Sequence, residues 1–163
     1  MRPTIPLGEW RIAVNLEYTQ SIQNQAGMAA VGCTCEDCQY WSDVWPSVFP
    51  VELRTQLERI QISIANPSDL YLYEREANGA HYRVVYHMVG KILSGPQAWF
   101  QFEDESKGMH YHNVSDPSRR IGLVVVPSSQ TFDCGPKLRD TAGGDLIQID
   151  FRLFIPHKAT ASN

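Results

Sequence analysis

The chain has 163 residues, of which 43% are hydrophobic and 20% charged, with 14 basic and 18 acidic side chains and a net charge of −4. That is the make-up of a single globular domain able to bury roughly two thirds of its unfolded surface. No basic stripe is present, which argues against nucleic acid as a partner. No apolar run approaches the ~20 residues a membrane helix needs.

Met1 to Pro6 carry no apolar signal core, so no secretory signal is expected and a cytoplasmic setting is the default. In that setting cysteines are metal ligands, redox groups or core residues more often than disulfides. Trp10, Ile12, Val14, Leu16 and Tyr18 alternate with Arg11, Ala13, Asn15 and Glu17. Period two predicts a half-buried strand over 10–18. Residues 19–32 are small and polar, and read as a loop.

Cys33, Cys35 and Cys38 then fall within six residues. Thr34 followed by Asp37 resembles a capping box and starts a predicted helix over about 35–45. Cys38, Trp41 and Trp45 would share one face of it, and Pro46 would end it. Pro50 leads a second helix over 50–64, with Leu53, Leu57, Ile60 and Ile64 as its apolar stripe. Asn66-Pro67 stops it.

A hairpin follows. Residues 69–76 form one arm, and Asn78-Gly79 supplies the positive φ angles of a tight turn. The return strand, His81 to Leu93, is apolar on both faces, which predicts a central position in a sheet. Gly90 marks a bulge or a close backbone approach. Further strands are expected at 98–103, 109–114 and 121–126. Residues 127–145 read as a long loop. The last strand, 146–155, turns Ile147, Ile149, Phe151, Leu153 and Ile155 inward and Gln148, Asp150 and Arg152 outward. Pro156 closes it, and 157–163 would be a flexible tail. The expectation is one α+β domain over 1–156. It holds a mainly antiparallel sheet of about six or seven strands, with two helices packed on one face.

The stretches Cys35-Glu36-Asp37-Cys38, Pro50-Val51-Glu52-Leu53, His81 to Ile92 and Ile149 to Pro156 together resemble a family of small uncharacterised bacterial proteins. The chain differs from that pattern at Gln61-Ile62-Ser63 and at His157. The resemblance implies an antiparallel α+β domain and no activity.

Cys35 and Cys38 make the C-x2-C half of a zinc site. Cys33 is a third candidate ligand. Cys134, or a histidine from His110 and His112, would complete the set. As a redox pair, C-x2-C would gain from the helix N-terminus but lose from Glu36 and Asp37 beside the thiols. His81, Arg83 and His87 share one strand face and form a candidate anion site. No nucleophile elbow or phosphate-cradling loop is present. The first reading is therefore a non-catalytic protein-binding or regulatory module, with a protein partner or a second copy meeting the 127–145 loop and the aromatic hairpin. The alternative is a zinc-binding protein, structural or hydrolytic, organised by Cys33, Cys35, Cys38 and Cys134.

Overall fold

The computed structural model describes residues 2–25, 28–114 and 120–157. In chain order its elements are β1 (Thr4–Leu7), β2 (Trp10–Val14), α1 (Leu16–Ile22), α2 (Glu36–Val48), α3 (Val51–Arg59), β3 (Asp69–Glu76), β4 (Gly79–Ser94), β5 (Trp99–Gln101), β6 (Lys107–Met109), β7 (His112–Asn113), β8 (Gly122–Pro127) and β9 (Asp145–Pro156). A short 3-10 turn, Ser128–Gln130, follows β8. Of the expected tail only His157 is described, and its amide bonds to the carbonyl of Asn78.

Seven of the strands form one antiparallel sheet in the order β1-β2-β4-β9-β8-β7, with β3 also paired to β4. The strands β5 and β6 make a separate hairpin. The axis of the sheet is the pairing of β4 with β9, unbroken from Gly79 opposite Pro156 to Gly90 opposite Asp145. On its other side β4 is shared. Its first half pairs with β3, as far as Val85 opposite Asp69. Its second half pairs with β2, from Gly90 opposite Val14. At Gly90 the two backbones run so close that a Cβ would lie 2.2 Å from the Ala13 carbonyl oxygen, so only glycine fits there.

The sequence predicts two helices; the described residues hold three. The period-two run from Trp10 stops at Val14, because Asn15 caps a helix. Its side chain accepts a bond from the Tyr18 amide at 3.1 Å, which satisfies one orphan donor of the first turn. The predicted strand over 10–18 is therefore a strand of five residues followed by a helix of seven.

That helix fills the stretch of β4 between β2 and β3. The Asn15 amide donates to the Val89 carbonyl. The Thr19 hydroxyl accepts from the Val89 amide at 2.9 Å and sits 3.4 Å from the Val89 carbonyl. Gln23 Nε2 donates to the His87 carbonyl at 3.0 Å. Two side chains thus take the place of a neighbouring strand, and buried backbone groups keep partners.

The other two helices pack on the core with ends shifted from those expected. Pro46 lies inside α2 rather than ending it. A proline so near the C-terminus removes only the bond to the Ser42 carbonyl, and Ser42 is exposed to water. The helix α3 stops at Arg59, because Gln61 takes a positive φ of 67°. Ile64 is still buried, and its carbonyl accepts from Trp41 Nε1 and from the Tyr86 hydroxyl. Trp41, Phe49, Leu53, Leu57 and Ile60 pack on Tyr82, Val84, Tyr86 and Met88 of β4 and on the inward residues of β9. Trp41 meets Phe49 edge to face, and Phe49 meets Phe151 at a tilt. Each fully buried Val, Ile or Phe here contributes about 1.5–3 kcal/mol.

Candidate metal centre

The three clustered thiols sit where a turn enters α2. The turn is held by the Cys33 amide bonding to Ala30, and by the Ala30 amide bonding to Ser68 at the start of β3. The helix cap is Cys35, one residue beyond the expected Thr34. Its backbone is extended, and its sulfur accepts from the Cys38 amide at 3.4 Å. That geometry puts Cys38 one turn in, directly over Cys35. Asp37 accepts from the Tyr82 hydroxyl at 3.0 Å, which fixes the helix start to β4.

All three sulfurs lie within 4.8 Å of one another. Among the described residues the group stops at three. None of the four cysteines forms a disulfide. The Cys38 amide, then the Cys33 thiol, hold the Cys35 thiol below its ordinary value. Burial, then the bonds Cys38 makes to Cys33 and Cys35, push the Cys38 thiol well up. A negative charge is thus favoured at Cys35 and opposed at Cys38. A cation bound among them removes that obstacle.

A cleft of about 240 Å³ opens beside the thiols. Cys33 and Cys38 form one wall, with Trp41, Ser42, Asn66 and Leu70 around them.

The other expected ligands lie elsewhere. Cys134 is exposed on the 127–145 loop and stands outside the thiol group. His112 faces Glu9 at 3.1 Å, and its ring stacks on His110 at 4.4 Å.

His81, Arg83 and His87 do share a face of β4, and each has a protein partner. His81 Nε2 meets Glu76 at 2.6 Å. Arg83 binds Asp133 through Nη1 at 2.8 Å and Asp150 through Nε at 2.8 Å. His87 Nδ1 pairs with the Ser68 hydroxyl at 2.8 Å. Gln148 Nε2 donates to Asp133 at 2.8 Å, and Thr131 donates to Gln148 at 2.8 Å. Gln148 and Asp150, expected outward on β9, are fully buried. The reason is the long loop, which lies over that face and docks through Thr131, Asp133 and Gly135. A Cβ at Gly135 would come within 2.8 Å of His87 Nε2.

One arginine, Arg83, is shared between two carboxylates in this patch. Burial raises the Asp150 carboxyl despite Arg83 beside it. Burial works the same way on Asp133, but there the bonds from Arg83 and Gln148 win and hold it below the ordinary carboxylate range. Burial would weaken the charge on Arg83, yet its bonds to Asp133 and Asp150 more than restore it. The cluster joins residues 83, 133 and 150, and no local spacing announces it. The usable signal was an arginine on a strand with apolar residues on both faces, which needs a buried acid to pair with.

Comparison of the chain with family models, with curated proteins and with solved structures finds no match. No helix of the described residues is long and apolar enough to cross a membrane.

Proposed function

We propose that this chain binds a thiophilic metal ion, zinc in the first place, through Cys33, Cys35 and Cys38. The observation that carries the reading is the mutual approach of the three sulfurs to within 4.8 Å. Zinc–sulfur bonds of about 2.3 Å at tetrahedral angles set the sulfurs roughly 3.8 Å apart. Closing the cluster onto an ion therefore takes a side-chain adjustment of about 1 Å or less at each thiol. The N–H···S bond from Cys38 to Cys35 supports a thiolate at that position. So does the N-terminus of α2, whose dipole favours negative charge. Among the described residues no carboxylate or imidazole joins the group, which points to a soft ion rather than magnesium or calcium.

The test is metal content. Protein purified without chelator is expected to carry about one zinc per chain. Replacing Cys35 or Cys38 by serine is expected to remove most of it, while Cys134→Ser leaves it in place. Zinc below about a tenth of one equivalent in protein supplied with the ion would end the proposal.

A further inference from the structure

A zinc ion with four protein ligands is a closed cross-link, whereas one with three keeps a position for a molecule from outside. The thiol group has three members among the described residues. Cys134 lies next to Asp133, on the loop that docks to Arg83 across the opposite face of the sheet.

What borders the thiols instead is the cleft. Cys33 and Cys38 line it and Cys35 does not, so an ion among the three sulfurs stands at its edge. Trp41, Pro67 and Leu70 give it apolar walls, and Ser42 and Asn66 are its polar members. Its volume of about 240 Å³ falls below the ~300–1,000 Å³ of pockets for larger ligands. It suits a molecule the size of an amino acid. Apart from the two cysteines, no lining residue is titratable. Nothing there can take a proton from a metal-bound water, which speaks against hydrolysis. Three thiolates also make the ion soft and electron-rich, and such an ion prefers another sulfur.

We propose that the fourth position opens into this cleft and takes a small exogenous thiol as its thiolate. The inference rests on the metal reading above. In the binding step the thiol releases its proton to solvent, and its sulfur displaces a water from the ion. One metal–oxygen bond breaks, one metal–sulfur bond forms, and no group changes oxidation state. Coordination then keeps that sulfur deprotonated at neutral pH.

The experiment loads the protein with cobalt(II) in place of zinc and titrates it with 2-mercaptoethanol, L-cysteine and glutathione. The sulfur-to-cobalt charge-transfer absorption is expected to rise by about a third, as three thiolates become four, and to saturate at one thiol per metal. Cysteine is expected to bind at least about tenfold more tightly than glutathione, which is too large for the cleft. Ser42 is exposed on α2, so Ser42→Trp fills the cleft without entering the core. That variant is expected to keep the starting absorption and to lose about tenfold or more in cysteine affinity. An absorption that thiols leave unchanged overturns the inference and leaves the metal standing. So does equal cysteine binding in Ser42→Trp, or a starting absorption that shrinks in Cys134→Ser. No charge-transfer absorption at all removes the metal itself, and the open position with it.

Discussion

His87 is 1% exposed on the polar face of β4. Its Nδ1 is bonded to Ser68, while its Nε2 has no hydrogen-bond partner among the described residues and lies under the backbone of Gly135. Burial lowers this imidazole to about 4, against the opposing pull of Asp133. The folded protein thus holds the ring neutral, while the unfolded chain protonates it below about pH 6.5. Between those two values the unfolded state binds the extra proton, so stability falls as pH falls. Between pH 7 and pH 5 the loss is expected to be about 2 kcal/mol. Carboxylates of ordinary strength stay ionised across most of that range. Urea melts at the two pH values measure it. His87→Gln is expected to flatten the difference, and a wild-type protein equally stable at both values would contradict the neutral buried ring. The same residue explains why the loop carries glycine at 135, since any side chain there would press on the ring. Asp133, two positions earlier, docks the loop by charge to Arg83 in a part-buried pair.

The helix α1 does the work of a strand with side chains. Thr19 is fully buried, and its hydroxyl is the partner of the Val89 amide. Thr19→Val keeps the shape and removes the acceptor. The expected cost is about 1–3 kcal/mol, the penalty for an unpaired buried donor. Faster hydrogen exchange at the Val89 amide should accompany it, with Thr19→Ser largely restoring both. A Thr19→Val protein that melts with the wild type would show that the hydroxyl is dispensable. The same helix also anchors the long loop. Asn15 Nδ2 donates to the Gly143 carbonyl. Gln25, just past the helix, bonds the Lys137 backbone through both its amide atoms. Its presence was hidden in the sequence because Leu16 and Tyr18 continue the alternation of Trp10, Ile12 and Val14. Asn15 three residues before Tyr18, with Glu17 in the first turn, was the legible cap; read as an outward strand residue, it gave no warning.

Across the whole molecule, what could be read was what depends on near neighbours. The alternation of Ile147 to Ile155, the Asn78-Gly79 turn and the two apolar faces of the return strand lead directly to β9, the β3–β4 hairpin and the central place of β4. The thiol cluster was legible because all its members lie on one turn. The second polar centre was not, because Arg83 meets Asp133 and Asp150 only after three distant segments come together. Helix ends were misplaced for a related reason. Ile64 continues the apolar stripe of α3, but it is buried as a carbonyl acceptor for Trp41 and Tyr86 rather than as a helical residue.

The β4–β9 ladder has a kinetic meaning as well. Every pair in it, from Gly90 with Asp145 outward, joins residues far apart along the chain. Their loops must close before any of those bonds can repay the lost chain freedom. β3, β2 and α1 all lean on one edge of β4, whose other edge stays open until β9 is in place. Refolding from urea is therefore expected on the slow, millisecond-to-second scale of non-local sheets, with the thiol turn and its helix free to form earlier. Stopped-flow fluorescence of the tryptophans checks it, and completion within microseconds would mean that assembly starts somewhere other than the long central ladder.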